Sequence, residues 1–175
     1  MELQAGKPLI MIVDDETEIL KVLAKILEDD YELITAGNGK EALEKMTPKV
    51  SVILADQRMP EMTGSELMRI IKQRFPNTVR ILMTGYTDMN ALVDSVNEGE
   101  IFRYINKPWE VKMLLETLQL GVEKNQQNIM YEKLLEHNKL LLERNQQVAD
   151  RLNQTIQELN KVGEELRSLK ESKKS

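Results

Sequence analysis

The chain has no cysteine, so it carries neither a disulfide framework nor a thiolate metal site. That absence suits a cytosolic protein. Only 4% of its 175 residues are aromatic, so its core must be aliphatic and rich in its ten methionines. A basic excess is also missing. The 24 Lys and Arg face 29 Asp and Glu, a formal net charge of −5, which argues against broad nucleic-acid binding through a basic face. Long apolar runs are absent from the first part of the chain. LIMIV (9–13) is only five residues and is followed by three acids, so it is neither a signal core nor a membrane span. Finally, proline is missing from 109 to 170, and glycine appears there only at 121 and 163. A stretch of that length without a breaker predicts one long helix.

Against these absences stand five short apolar runs, at 9–13, 32–35, 50–55, 79–83 and 102–105. They alternate with helical patterns at 16–28, 39–46, 65–74, 88–98 and from 108 or 109 onward. This alternation predicts an α/β fold with a parallel sheet. Ile19, Leu23 and Ile26 share one face of the first helix, Asn38 is placed to cap the second, and Gly99 stops the fourth. Four of the strands end in a chemically distinctive residue: Asp14 and Asp15, Asp56, Thr84, and Lys107. In an open parallel sheet such strand ends converge on one crevice where ligands bind. Carboxylates, a hydroxyl and an ammonium together suit a hard cation and a phosphoryl group. Asp14 and Asp15 can serve Mg²⁺, which keeps waters beside one or two carboxylates. Asp56 can share the metal and attack phosphorus. Lys107 supplies charge, and Thr84 supplies a donor to a phosphoryl oxygen.

The segments VDDE (13–16), ADQRMPEMTG (55–64), LMTGY (82–86) and FRYINKPW (102–109) resemble the receiver domain of two-component response regulators, across residues 7 to about 124. The resemblance implies a five-stranded doubly wound, flavodoxin-like sheet of order 2-1-3-4-5. It implies a phosphoryl group taken from a histidine kinase or phosphotransfer protein onto Asp56 with Mg²⁺, then slowly hydrolysed. The metal ligands it implies are Asp14, Asp15, Asp56 and the backbone carbonyl of Arg58. It further implies a cis Lys107–Pro108 bond and a Thr84–Tyr104 switch pair. The chain would then be a cytoplasmic signalling switch rather than a metabolic enzyme. Its wording around Asp56 and Lys107 is similar to regulators with cyclic-dinucleotide phosphodiesterase, serine phosphatase or hydrogenase-gene activator outputs. Such an output would be absent from this chain.

Beyond a receiver over 1–124, residues 125–175 read as a coiled-coil extension continuous with the fifth helix. The stretch 109–170 would span about 90 Å as a helix. Tyr131, Asn138, Asn145, Leu152, Leu159 and Leu166 form one heptad column, assigned a. Leu134, Leu141, Val148, Thr155, Val162 and Leu169 form the other, assigned d. Asparagine at a favours a parallel dimer in one register. A competing register pairs Leu135, Leu142, Ala149, Ile156 and Gly163 with the Asn/Leu column, but it places Gly163 and then Lys170 in the seam. Leu135, Leu142 and Ile156 still widen the stripe, so a four-helix association stays open beside the dimer.

Plainer readings stand beside these. Asp14 and Asp15 alone could simply start a helix. Tyr104 could be a half-exposed strand residue, and Arg58 and Tyr86 could be solvated rather than flanking a path for water. His137 on the rod reads as a solvated flank residue, and Trp109 as a packing anchor. Three other functions remain open: an aspartate-nucleophile phosphatase, a dimer scaffold that ignores phosphorylation, and a DNA-binding regulator. The first usually needs Asp-x-Asp where this chain has Asp-Asp-Glu, and the second leaves the acidic site unused. The third needs a recognition module not seen after residue 124.

Overall fold

The computed structural model describes residues 6–85 and 101–172, with side chains through Ser168. The helix expected at 88–98, with Gly99 and Tyr86, lies outside the described residues. Strands β1 (Leu9–Val13), β2 (Glu32–Ala36), β3 (Val50–Asp56), β4 (Val79–Thr84) and β5 (Arg103–Asn106) form one sheet in the order β2-β1-β3-β4-β5. All four pairings are parallel. The helices described are α1 (Thr17–Leu27), α2 (Gly39–Lys45), α3 (Gly64–Arg74) and α4 (Val111–Ser172).

Both faces of the sheet are covered at its centre, which is why β1, β3 and β4 read as near-continuous apolar runs, whereas the edge strand β5 exposes Arg103 and Tyr104. Ile10 and Ile12 of β1 face a core shared with Leu23 and Leu27 of α1 and with Leu114 and Leu118 of α4. Met11 and Val13 face the opposite core, with Leu67, Met68 and Ile71 of α3. Ile19 and Ile26 pack against the first of these cores, as their spacing predicts. The chain divides into two compact units, Met1–Ile129 and Met130–Ser175. In the second, α4 leaves a stripe of Leu134, Leu141, Val148, Leu152, Leu159 and Leu166 exposed.

Local chemistry sets the helix ends. The side chain of Asn38 accepts from Glu41 N at 2.8 Å, which caps α2 as its position predicts. Thr63 and Glu66 form a reciprocal capping box at the start of α3. The long helix begins at Val111, not at 108 or 109. Its first turn closes where Leu114 N donates to the Glu110 carbonyl at 3.0 Å. Residues 107–110 form the turn before it, and the Lys107–Pro108 bond is cis.

Gly64 fixes how closely α3 approaches the end of β3. A Cβ placed there would lie 2.3 Å from the Asp56 carbonyl oxygen and 2.6 Å from a Leu82 methyl. The first contact is with backbone, which has little room to yield. Gly64→Ala should therefore cost about 1–3 kcal/mol, the scale of overpacking a filled site. A urea melt checks it; an unchanged midpoint and slope would show that the loop gives way freely.

Candidate functional site

The site is built at the carboxyl ends of β1, β3, β4 and β5. Asp14 follows β1 directly and is fully buried, with its N–H donating to the Ala36 carbonyl at 3.2 Å. One of its oxygens accepts from Glu16 N at 2.9 Å. The other accepts from the Lys107 ammonium at 2.8 Å. Asp56, the last residue of β3, is 6% exposed. Its Oδ1 lies 2.6 Å from the same ammonium, and its Oδ2 accepts from Arg58 N at 2.6 Å. Two carboxylates from different strands therefore share one cation that enters from the turn after β5.

Lys107 is held there by backbone as well as by charge. Its N–H donates to the Thr84 carbonyl at 2.7 Å, which ties the turn to the end of β4. Burial alone would lower the affinity of its amine for a proton. Hydrogen bonds to Asp14 and Asp56 outweigh that effect and hold its pKa above the ordinary lysine value. The ammonium also lies 5.9 Å from the centre of the Trp109 ring, which itself packs against the core.

Asp15, Asp56, Arg58 and Lys107 line one cleft of about 360 Å³, together with Glu16, Gln57 and Gly85. Asp15 is exposed there, so its carboxylate can meet a ligand from the solvent side. Thr84 is buried at the end of β4, and its hydroxyl donates to the Gly85 carbonyl at 3.1 Å. Tyr104 pairs with Leu82 across β4 and β5, and its side chain is 42% exposed. A second concavity, about 530 Å³, runs beside Lys133, His137 and Glu143. A single helix makes its walls, so it is a groove between surface side chains with none of this convergence.

Gln57 was not singled out by sequence reading. Its N–H donates to the Met83 carbonyl at 2.9 Å, and its carbonyl accepts from Gly64 N at 3.1 Å. Its side-chain oxygen accepts from Ser65 N at 3.1 Å and from the Ser65 hydroxyl at 2.8 Å. Gln57 thus fastens β3, β4 and the start of α3 just after Asp56. An amide directly following the strand-end acid, eight residues before the start of a helix, was the available signal.

Among the described residues no three His, Cys, Asp or Glu side chains are grouped to hold a metal by themselves. The donors present still fit Mg²⁺, because that ion takes one or two carboxylates and completes its shell with water. Asp14 and Asp56 already direct oxygens to one positive charge, and Asp15 borders the same cleft. Among the described residues no helix is long and apolar enough to cross a membrane.

Lys107→Met should cost about 3 kcal/mol at neutral pH, because it leaves a buried carboxylate without its partner. The raised lysine pKa gives the sign of the pH dependence. The contribution is fully present below the unfolded amine's pKa and is lost as pH rises through the folded value. Urea melts should show a constant gap between variant and wild type from pH 7 to about 10, closing above the usual lysine range near 10.4. A gap already closed at pH 8 would contradict this.

Known proteins resemble this chain over its sheet domain. Over 115 residues the chain is 39% identical to the hydrogenase transcriptional regulatory protein HoxA of Cupriavidus necator, which covers 65% of this chain and 24% of HoxA. It is 33% identical over 121 residues to the DNA-binding transcriptional regulator NtrC of Escherichia coli, covering 68% of this chain and 26% of NtrC. The chain thus spans about a quarter of the length of these relatives. Among solved structures, an adenylate cyclase from Rhodopirellula baltica superimposes with a TM-score of 0.72 at 34% identity, over 75% of this chain and 98% of that one. The signal receiver domain of an HD domain-containing protein from Pseudomonas fluorescens gives 0.68 at 31%, over 74% and 97%. Residues 10–119 match the model of the response regulator receiver domain, and the chain belongs to that family.

Proposed function

We infer that this receiver takes a phosphoryl group on Asp56 from a histidine kinase or phosphotransfer protein. The observation that carries this reading is the convergence of Asp14, Asp56 and the Lys107 ammonium within 2.8 Å. An oxygen of Asp56 attacks phosphorus; the new O–P bond forms as the P–N bond to the donor imidazole breaks, and the imidazole keeps the electron pair. In the return step, water attacks phosphorus and the Asp56 carboxylate leaves. Bound at Asp14, Asp15, Asp56 and the Arg58 carbonyl, Mg²⁺ would neutralise charge on the phosphoryl oxygens. Lys107 moves its hydrogen bonds from the carboxylates to the phosphoryl group, and the Thr84 hydroxyl turns from the Gly85 carbonyl toward it. Tyr104 then fills the space that Thr84 leaves. Such a switch works only because its two states differ in affinity for the added charge.

Acetyl phosphate with Mg²⁺ should add one phosphoryl group to the wild type and none to Asp56→Asn. Intact-mass measurement checks this. Equal labelling of the variant would move the acceptor elsewhere.

The extension 125–175 pairs with a second copy in parallel and carries the state onward. The exposed seam supports this reading, since covering each large aliphatic side chain is worth roughly 1.5–3 kcal/mol. Asn138 and Asn145 set the register, because only a parallel pair lets each amide meet its own copy. The output differs among related proteins. HoxA and NtrC are transcriptional regulators by name, and the Pseudomonas receiver belongs to an HD domain-containing protein. A transcription-regulating output has the support of two sequence relatives, one of them DNA-binding by name.

Replacing Asn138 and Asn145 together with leucine should stabilise the coil by about 1–3 kcal/mol per layer, the usual cost of a buried amide. It should also relax the choice of partner number. Thermal melts at fixed concentration and sedimentation measure both effects. A lower melting temperature would place the asparagines outside the seam.

A further inference from the structure

We propose that two parallel dimers of the coil dock side by side and antiparallel, giving a tetramer centred near residue 153. The inference rests on the parallel dimer proposed above and adds a second surface to it. A two-stranded coil buries its a and d columns and leaves e and g on the flanks. In this chain the e column is Leu135, Leu142, Ala149, Ile156 and Gly163. Its large members are all exposed: Leu135 53%, Leu142 69% and Ile156 46%. Charged residues usually fill that column in two-stranded coils, where they select the partner. Here it offers an apolar strip that a dimer leaves uncovered.

The column also alternates in size. Leu142 and Ile156 are large, and Ala149 and Gly163 are small. In an antiparallel arrangement Ile156 meets Ala149 of the second dimer, and Leu142 meets Gly163. Each large side chain then faces a small one, the pattern that lets apposed rows interdigitate. A parallel stacking would instead set Leu against Leu and Gly against Gly.

The g column gives the same answer from charge. It runs Arg144, Arg151, Glu158, Glu165, changing sign midway. Antiparallel dimers related by a two-fold axis bring Arg151 opposite Glu158 and Arg144 opposite Glu165, four pairs in all. Parallel stacking would bring like charges together. Among the described residues none of these four side chains forms an ion pair within its own chain. The size and charge patterns have midpoints about two residues apart, close enough for long Arg and Glu side chains to satisfy both. Other occupants of the strip do not explain a charge sequence complementary to its own reverse.

The test uses the full chain with a spin label at Arg167→Cys, alone and with charge variants. Sedimentation of the wild type should show dimer giving way to tetramer as concentration rises. Label distances should show a short component from the parallel partner and a second near 40 Å from the antiparallel dimer, from the helical rise of 1.5 Å per residue. Arg144→Glu with Arg151→Glu places four like-charge contacts across the new surface and none within a parallel dimer. It should weaken the tetramer at least about tenfold and remove the 40 Å component, leaving the short one. Adding Glu158→Arg and Glu165→Arg restores complementarity at the original net charge and should restore both. A wild type that stays dimeric at every concentration overturns the tetramer and leaves the parallel dimer standing. So does a long component that survives the two-site variant. A monomer overturns both readings.

Discussion

The Lys107 ammonium is the constraint on which the site depends. It enters from the turn after β5 and reaches Asp14 and Asp56, carboxylates at the ends of two other strands. Asp14 is fully buried, and an isolated charge there would be expensive to hold. The ammonium offsets that cost, yet the balance stays incomplete. In and around the cleft Asp14, Asp15, Glu16 and Asp56 carry four formal negative charges, against two positive charges from Lys107 and Arg58. A site so composed favours a further cation, and with it a group that spreads negative charge over several oxygens. In the phosphoryl-transfer reading proposed above, the same tension would let Lys107 switch, since its bonds to the two carboxylates would compete with a bond to a phosphoryl oxygen.

The sheet brings these residues together because its strand order sends chain-distant segments to adjacent positions. Lys107 and Asp14 are 93 residues apart in sequence and share a 2.8 Å contact. The backbone reinforces the charges at each junction. Lys107 N holds the Thr84 carbonyl, Gln57 N holds the Met83 carbonyl, and Gly64 sits against the Asp56 carbonyl. Crowding at Gly64 and the Gln57–Ser65 bonds keep α3 close behind Asp56. The acceptor candidate therefore projects from rigid elements, with its own Oδ2 oriented by Arg58 N. Placement of that quality is what transfer chemistry requires, since most of the work in phosphoryl transfer is positioning and charge.

The central strands β1, β3 and β4 are legible in sequence because both of their faces are buried, so each appears as an apolar run bounded by polar residues. Their ends were legible to within a residue for the same reason. The strand-end chemistry of Asp14, Asp56, Thr84 and Lys107 followed from the topology of a parallel sheet. Long-range pairing is a different matter. Nothing in local periodicity says that Lys107 holds both Asp14 and Asp56, or that the Gln57 amide reaches Ser65. The Thr63–Glu66 capping box is legible as T-x-x-E, within the segment that also carries Asp56 and its turn. Proline suits a first helical turn, so the sequence points to a start at 108 or 109, before the observed start of α4 at Val111. Here residues 107–110 are used to deliver the lysine, and helical bonding begins only with Glu110 and Leu114.

The extension obeys a different logic from the receiver. In the sheet domain both faces of the sheet are packed within the chain. Among the described residues, the large apolar side chains of α4 from Tyr131 to Leu166 stand exposed. An exposed apolar stripe on a helix gains stability when another chain covers it. Three columns rather than two set how much cover is needed. In the proposed assembly two of them would form a parallel pair whose asparagines set the register, and the third would be covered by one more layer. Its alternation of large and small residues is complementary to its own reverse, and so is the sign change from Arg144 and Arg151 to Glu158 and Glu165. Both patterns follow from one two-fold relation between dimers. An assembly of that kind would hold four receivers on one scaffold, so that the phosphorylation state of each bears on a shared helical body rather than on a single rod.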